Sequence, residues 1–332
     1  MKKYYPIFIV AGILALLPIG VRNNYAVHVL IMVILNAYYA VSWNILGGFT
    51  GHFSLGNGAY IALGGYLTAV MYNMFNVSPW IGMIISALIA GGLSILLSYP
   101  CFKLRGSYYT LSTMAFLYII NVIIVSNPKI FGLEFGGSKG LNIRWQGGFS
   151  RMQFVSKIPY FYIILVMFVI VMFVTTYIKN SKTGFYYAAI CTNQEAAASL
   201  GVPVLKYKLR AQFTSAFFSA LGGGFYAMFF MFLEPTRLLG FAFSTEIMLL
   251  AVIGGIGEVW GPVLGAFIMV PVSEYLRGAL ATKLNGLPSA IYGLVLMLVI
   301  YFLPSGLFRP VTSWVKERVK AVFGKKPAEE RC

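Results

Sequence analysis

Charge is scarce in this chain of 332 residues: Asp, Glu, Lys and Arg make up 10% of it, against 59% hydrophobic residues and a mean hydropathy of +0.80. A soluble domain carries about a quarter of its residues as charges, so the soluble classes are excluded. Three cysteines, Cys101, Cys191 and Cys332, are too few and too scattered for a disulfide framework or a thiolate metal site. The two histidines, His28 and His52, have no carboxylate or cysteine at ligand spacing, so they read as packing or hydrogen-bonding residues; no metal and no cofactor is expected. No Gly-x-x-x-x-Gly-Lys-Ser/Thr string occurs, so the chain has no phosphate cradle of its own with which to hydrolyse ATP.

What the chain does have is long apolar runs. They span Ile7 to Val21, Tyr25 to Leu46, Asn57 to Phe75, Trp80 to Cys101, Tyr108 to Ser126, Pro159 to Ile178, Leu209 to Leu233, Leu238 to Ile256, Pro262 to Leu280 and Leu287 to Leu303. Runs of about 17 to 25 apolar residues cross a bilayer as helices. Lipid offers the backbone no partner, and the alternation of barrel strands is absent. The expected fold is all-α: a polytopic integral membrane protein of about ten transmembrane helices. Met1-Lys2-Lys3 and the apolar run after it resemble a signal peptide, but Arg22-Asn23-Asn24 follows instead of a small-x-small site, so the run is read as an uncleaved first span.

The net charge of +16 comes from 25 Lys and Arg against nine acidic residues. They sit in short loops and in the tail, where anionic lipid and the positive-inside bias account for them, and nucleic acid is not an expected partner. An inside N-terminus puts the larger share on the inner face, around Lys103, Lys179 to Arg210 and the tail. Five of the outer ones fall in one long loop, Asn127 to Ile158, which the rule weighs least. Both termini are expected to be cytoplasmic. The division is a permease domain over 1–308 and a basic tail over 309–332, where Trp314, Val315, Val319, Val322 and Phe323 recur at helical spacing, as in a helix lying on the inner interface.

Two stretches link spans through glycine rather than through polar loops. One is Gly47 to Gly58, with Gly51, Gly56 and Asn57 inside it; the other runs from Gly254 and Gly255 through Gly257 to Pro262. Glycine breaks free backbone groups, which is tolerated where the chain lines a cavity or is buried in protein. These residues, together with Glu246 inside the eighth span, are the candidate translocation path. A carboxylate at that depth costs about 2.5 to 3.5 kcal/mol on insertion scales and needs a partner or a wet cavity. Glu274 and Arg277 lie three residues apart on one helix face and are expected to pair.

The one long polar interruption is the central loop, about 180–208. It holds Glu195, Ala196, Ala197 and Gly201, an E-A-A-x-x-x-G pattern flanked by Lys179, Lys182, Lys206, Lys208 and Arg210. A single exposed helix between Thr183 and Leu200 is expected, stopped by Gly201 with Pro203 just beyond.

Taken in order, these strings resemble a known family. The segment Gly51-His52-Phe53-Ser54-Leu55-Gly56-Asn57-Gly58-Ala59-Tyr60 is similar to the signature near the start of bacterial branched-chain amino acid permeases of ABC importers. Further matches are Gly136 to Leu141, the Glu195 to Gly201 loop, Gly254 to Ala266, Pro271 to Arg277, Ile291 to Leu294 and Leu303 to Leu307. Lys139 and Asn57 depart from the pattern, standing where Asp or Asn and where His are usual. The resemblance implies a permease subunit in the cytoplasmic (inner) membrane that works by alternating access. Its partners would be two ATP-binding subunits docking on the Glu195 loop, a second related permease chain, an extracytoplasmic solute-binding protein, and membrane lipid. It implies branched-chain amino acids as substrate, with urea, amides, sugars or nucleosides open within the class. An ion-coupled secondary transporter is the rival, and it should carry several acidic residues in its spans where this chain clearly offers only Glu246.

Overall fold

The computed structural model of the protein describes residues 4–20, 23–104, 108–130, 132–280, 287–302 and 306–308. The tail expected over 309–332 lies outside them, as do Lys2, Lys3, Arg22, Arg105 and Lys283. The described residues form α1 (Tyr5–Gly20), α2 (Asn24–Thr50), α3 (Asn57–Phe75), α4 (Pro79–Cys101) and α5 (Tyr108–Ser126). Strands β1 (Lys129–Ile130), β2 (Leu133–Glu134) and β3 (Leu141–Asn142) follow, then α6 (Ile158–Asn180), α7 (Lys182–Thr192), α8 (Gln194–Ser199) and α9 (Val204–Phe230). The chain continues through β4 (Phe232–Leu233), α10 (Pro235–Leu238), α11 (Phe241–Gly255), α12 (Gly261–Leu280) and α13 (Leu287–Phe302).

Over its described residues, each of the ten apolar segments holds one long helix: α1 to α6, α9 and α11 to α13. By length and composition, five of them are apolar enough to cross a membrane: α2, α4, α5, α6 and α9. The helical class of the sequence reading therefore stands, while ten crossings exceed the five that this measure supports. The additional helices α7, α8 and α10, and the two-residue strands, lie in the connections, where apolar periodicity carries no signal.

α2 is the axis of the bundle. Asn23 caps its start, the Tyr25 amide donating to Asn23 Oδ1 at 3.0 Å, and Gly51 ends it in the left-handed region at φ 72°. From Ile31 to Thr50 every residue is buried. A helix apolar on all sides belongs in the middle of a protein rather than on its rim, and α6, α9, α11 and α12 surround it. α3 and α9 approach until their backbones touch. A methyl group at Gly64 would strike the Ala220 carbonyl oxygen, and one at Gly223 the Ile61 carbonyl oxygen, the close packing that small residues permit between membrane helices.

The long 127–157 loop closes one end of the bundle. β1 pairs with β2, and β3 pairs antiparallel with β4. Asn73 Nδ2 donates to the Asn142 carbonyl at 2.8 Å, and Gln153 Oε1 accepts the Gln146 and Gly147 amides at 2.7 and 3.0 Å. α7, α8 and both glycine breaks lie at the opposite end.

Those breaks are shorter than the sequence suggests. Gly47 and Gly48 continue α2, and the first break runs only over 51–56; Gly254 and Gly255 end α11, and the second break covers 256–260. Gly47 is helical, and the Trp43 ring lying over it leaves no room for a side chain. The expected single helix between Thr183 and Leu200 is likewise two, parted at Asn193. Asn193 is extended (φ −157°), and its Oδ1 accepts the amides of Glu195 and Ala196, both at 3.0 Å, which caps α8 at the expense of continuing α7.

Candidate functional site

α8 is a projection built by its two ends. At its start Asn193 satisfies two orphan amides. At its end Gly201, at φ 84° with open space around it, lets the Val202 amide reach the Ala197 carbonyl at 3.1 Å and its own amide reach Ala198 at 2.9 Å, the paired bonds of a Schellman stop. Ala197 is buried and seats the turn, while Glu195 and Ala196 are exposed and Leu200 is 85% exposed at the tip. Gln194 Oε1 accepts from Lys208 Nζ at 2.5 Å, tying α8 to the start of α9.

The end of α7, which carries the projection, touches the first break. A side chain at Gly51 would meet Cys191 Sγ at 3.1 Å. The freed backbone groups of the break are taken up by side chains: Trp43 Nε1 donates to the Ser54 carbonyl at 2.7 Å, Thr110 Oγ1 to the Phe53 carbonyl at 2.9 Å, and the Leu55 amide to Thr113 Oγ1 at 3.1 Å. His52 Nδ1 lies 2.8 Å from the Thr50 carbonyl, which can only accept, so the proton sits on Nδ1. Burial first, and then the charge of Lys208, hold its pKa at about 4, so the ring is neutral near pH 7. Gly51, His52, Lys103 and Glu195 share the wall of a cavity of about 700 Å³ at this end.

The second break is clasped to the first through α2. The Gly257 amide donates to Asn44 Oδ1 at 3.1 Å, and Asn44 Nδ2 donates to the Glu258 carbonyl at 2.8 Å. Lys179, the last cation of α6 before the α7–α8 projection, donates to the Gly257 carbonyl at 3.1 Å and to Glu258 Oε2 at 2.6 Å. A side chain at Gly257 would lie 3.2 Å from the Gly48 carbonyl, and one at Gly254 would strike the Gly261 carbonyl; Gly255 sits at φ 131°. Asn44 and Lys179 are functional candidates that the sequence did not single out, Asn44 lying inside an apolar span and Lys179 reading only as a charge flanking the central loop.

The remaining path residues are apart from this clasp. Asn57 is buried between helices, its Oδ1 accepting from Ser219 Oγ at 3.0 Å while its Nδ2 has no partner among the described residues. The Gly58 amide donates to Ser244 Oγ at 3.0 Å, and Gly56 packs on the Thr113 carbonyl. Glu246 is eight residues before Gly254 on α11, about 12 Å along a helix axis. It lines a separate cavity of about 210 Å³ with Asn36, Arg237, Ser273, Glu274 and Arg277. Arg277 Nη1 is 3.5 Å from Glu274 Oε1, the pairing expected from sequence, and its Nη2 is 3.8 Å from Glu246 Oε2. Arg237 was missed, because nothing in the order of residues brings it beside Glu246.

Residues 25–303 match the family model described as branched-chain amino acid transport system / permease component. The high-affinity branched-chain amino acid transport system permease protein LivM of Salmonella typhimurium LT2 is 24% identical, over 86% of this chain and 70% of its own; that of Escherichia coli K12 is 25% identical, over 81% and 66%. The probable permease protein LivM of Methanocaldococcus jannaschii is 20% identical over 82% of this chain and 83% of its own. The chain thus spans about two thirds of the length of the two bacterial relatives. No solved structure gives a significant match. With the family model covering most of its length and five membrane-length apolar helices behind it, the chain belongs to the permease components of branched-chain amino acid transport systems.

Proposed function

We propose that the protein is one of two permease subunits of an ABC importer and moves branched-chain amino acids inward, through ten crossings with both termini in the cytoplasm. Two ATP-binding subunits engage the α8 projection, and a solute-binding protein docks at the 127–157 end. The observation that carries the reading is the projection itself: a stopped turn with Glu195 and Leu200 outward, joined through α7, whose Cys191 touches one glycine break, to α6, whose Lys179 reaches the clasp of the other. A push on α8 thus has a contiguous route to both breaks, as alternating access requires. Gly47, Gly51, Gly56, Asn57, Gly58, Gly254, Gly255, Gly257 and Glu246 remain the proposed path, the glycines acting at its inner hinge and Glu246 in its outer half.

Reconstitution with both ATPases, the sister permease and the binding protein tests this. L-leucine should stimulate ATP hydrolysis while urea, ribose and adenosine do not; stimulation by one of those in place of leucine would overturn the substrate. Orientation has its own check. With Cys101, Cys191 and Cys332 replaced, an impermeant thiol reagent applied to intact cells should reach Ser138→Cys and miss Thr192→Cys, both being exposed positions at opposite ends. The reverse pattern would invert the topology.

A further inference from the structure

The charges around the Glu246 cavity do not balance pairwise. Glu246 and Glu274 share one guanidinium, Arg277, at 3.8 and 3.5 Å, longer than the roughly 2.7–2.9 Å of a closed charge-assisted bond. Arg237, on the same wall, makes no ion pair among the described residues; its guanidinium lies 6.0 Å from the Phe230 ring. The cavity therefore holds two cations and two anions without a closed pair between them, leaving the exposed Arg237 open to an incoming anion and the two glutamates, held only loosely by Arg277, open to an incoming cation. The amino end of α11 opens on it as well, Gly240 and Ala242 being in the wall, so unpaired helix amides add to the field favouring an anion. Met32, Phe243 and Val270 form an apolar side to the same space. Its volume of about 210 Å³ is below the ~300–1,000 Å³ of sites for drug-sized ligands, which suits one small solute.

We infer that this cavity is a binding site within the permease for the zwitterion of an apolar α-amino acid. The α-carboxylate lies against Arg237 and the amino end of α11, the α-ammonium between Glu246 and Glu274, and the side chain against Met32, Phe243 and Val270. The assignment rests on the amino-acid permease reading and adds the site and its logic: two opposite charges held a fixed distance apart. Urea, sugars and nucleosides carry neither charge. Arg277 holds the two glutamates in place while the site is empty and is a positioning residue.

The test uses the full chain in lipid nanodiscs, with Cys101, Cys191 and Cys332 replaced and Thr236→Cys as an exposed reporter on the cavity wall. L-leucine should slow methanethiosulfonate labelling of the reporter. Isoamylamine, which lacks the carboxylate, and 4-methylpentanoate, which lacks the ammonium, should not. Arg237→Gln and Glu246→Gln should each raise the half-protecting leucine concentration roughly tenfold or more, the size of one lost charge-assisted hydrogen bond. The charge-preserving Arg237→Lys should keep most of the protection, and unchanged labelling of a Ser138→Cys reporter reports that each variant is folded. Equal protection by either half-molecule, or unchanged leucine protection in both Gln variants, would overturn the site. So would the absence of protection by leucine in a chain whose assembled transporter moves leucine, leaving the transport reading intact; an assembled transporter that moves a sugar or urea instead would remove that reading itself.

Discussion

A transporter carrying Glu195→Lys together with Gly201→Asp is expected to reach the membrane at normal abundance and to lose about tenfold or more of its uptake, with substrate-stimulated ATP hydrolysis lost in parallel. Reversing a charge on a docking surface costs several kcal/mol when it meets a like charge, and each 1.4 kcal/mol is a factor of ten. The fold should tolerate both changes. Glu195 is exposed in the first turn of α8, whose cap is supplied by Asn193 rather than by Glu195. Gly201 has nothing within 4 Å, so Asp there bears the left-handed backbone, about 1–2 kcal/mol, and no clash. Uptake and membrane abundance measured on the same cells decide the matter: normal uptake at normal abundance would remove α8 as the coupling element.

The second large effect concerns the α3–α9 contact. Gly223→Leu should deplete folded protein from the membrane, whereas Gly92→Leu should leave its amount and melting temperature nearly unchanged. Overpacking ordinarily costs about 1–3 kcal/mol because side chains can shift. At Gly223 the obstacle is the Ile61 carbonyl, part of a helix that cannot move without parting from α9 along its length. Gly92, on the exposed face of α4, has nothing within 4 Å. Membrane abundance and thermal unfolding in detergent distinguish the two variants; equal behaviour would mean that the α3–α9 approach does not hold the bundle together.

Glycine shows where sequence reading stops. Gly47 and Gly254 look alike in the sequence, each beginning a glycine-rich string, yet Gly47 lies within α2 under the Trp43 ring while Gly254 closes α11 against Gly261. Whether a glycine breaks a helix or lets one pass close depends on what stands opposite, and that is a long-range fact. Asn193 is the converse case. A strong capping residue three positions before Ala196 was readable as the start of α8, but the apolar drift of 183–192 hid it inside one helix.

That the chain is helical and membrane-embedded is legible from its residues alone, because hydropathy and backbone satisfaction in lipid are local requirements that a run of residues either meets or fails. So are the family, through motifs in fixed order, and the pairing of Glu274 with Arg277, because three residues along a helix is a fixed geometry. The joining of the two glycine breaks by Asn44 and Lys179 at one end, and the meeting of Arg237 with Glu246 in one cavity in the other half, come from helix packing. Those meetings join residues 9 to 213 positions apart, Arg237 with Glu246 and Asn44 with Gly257. They follow from how helices pack against one another, which no local pattern of residues encodes.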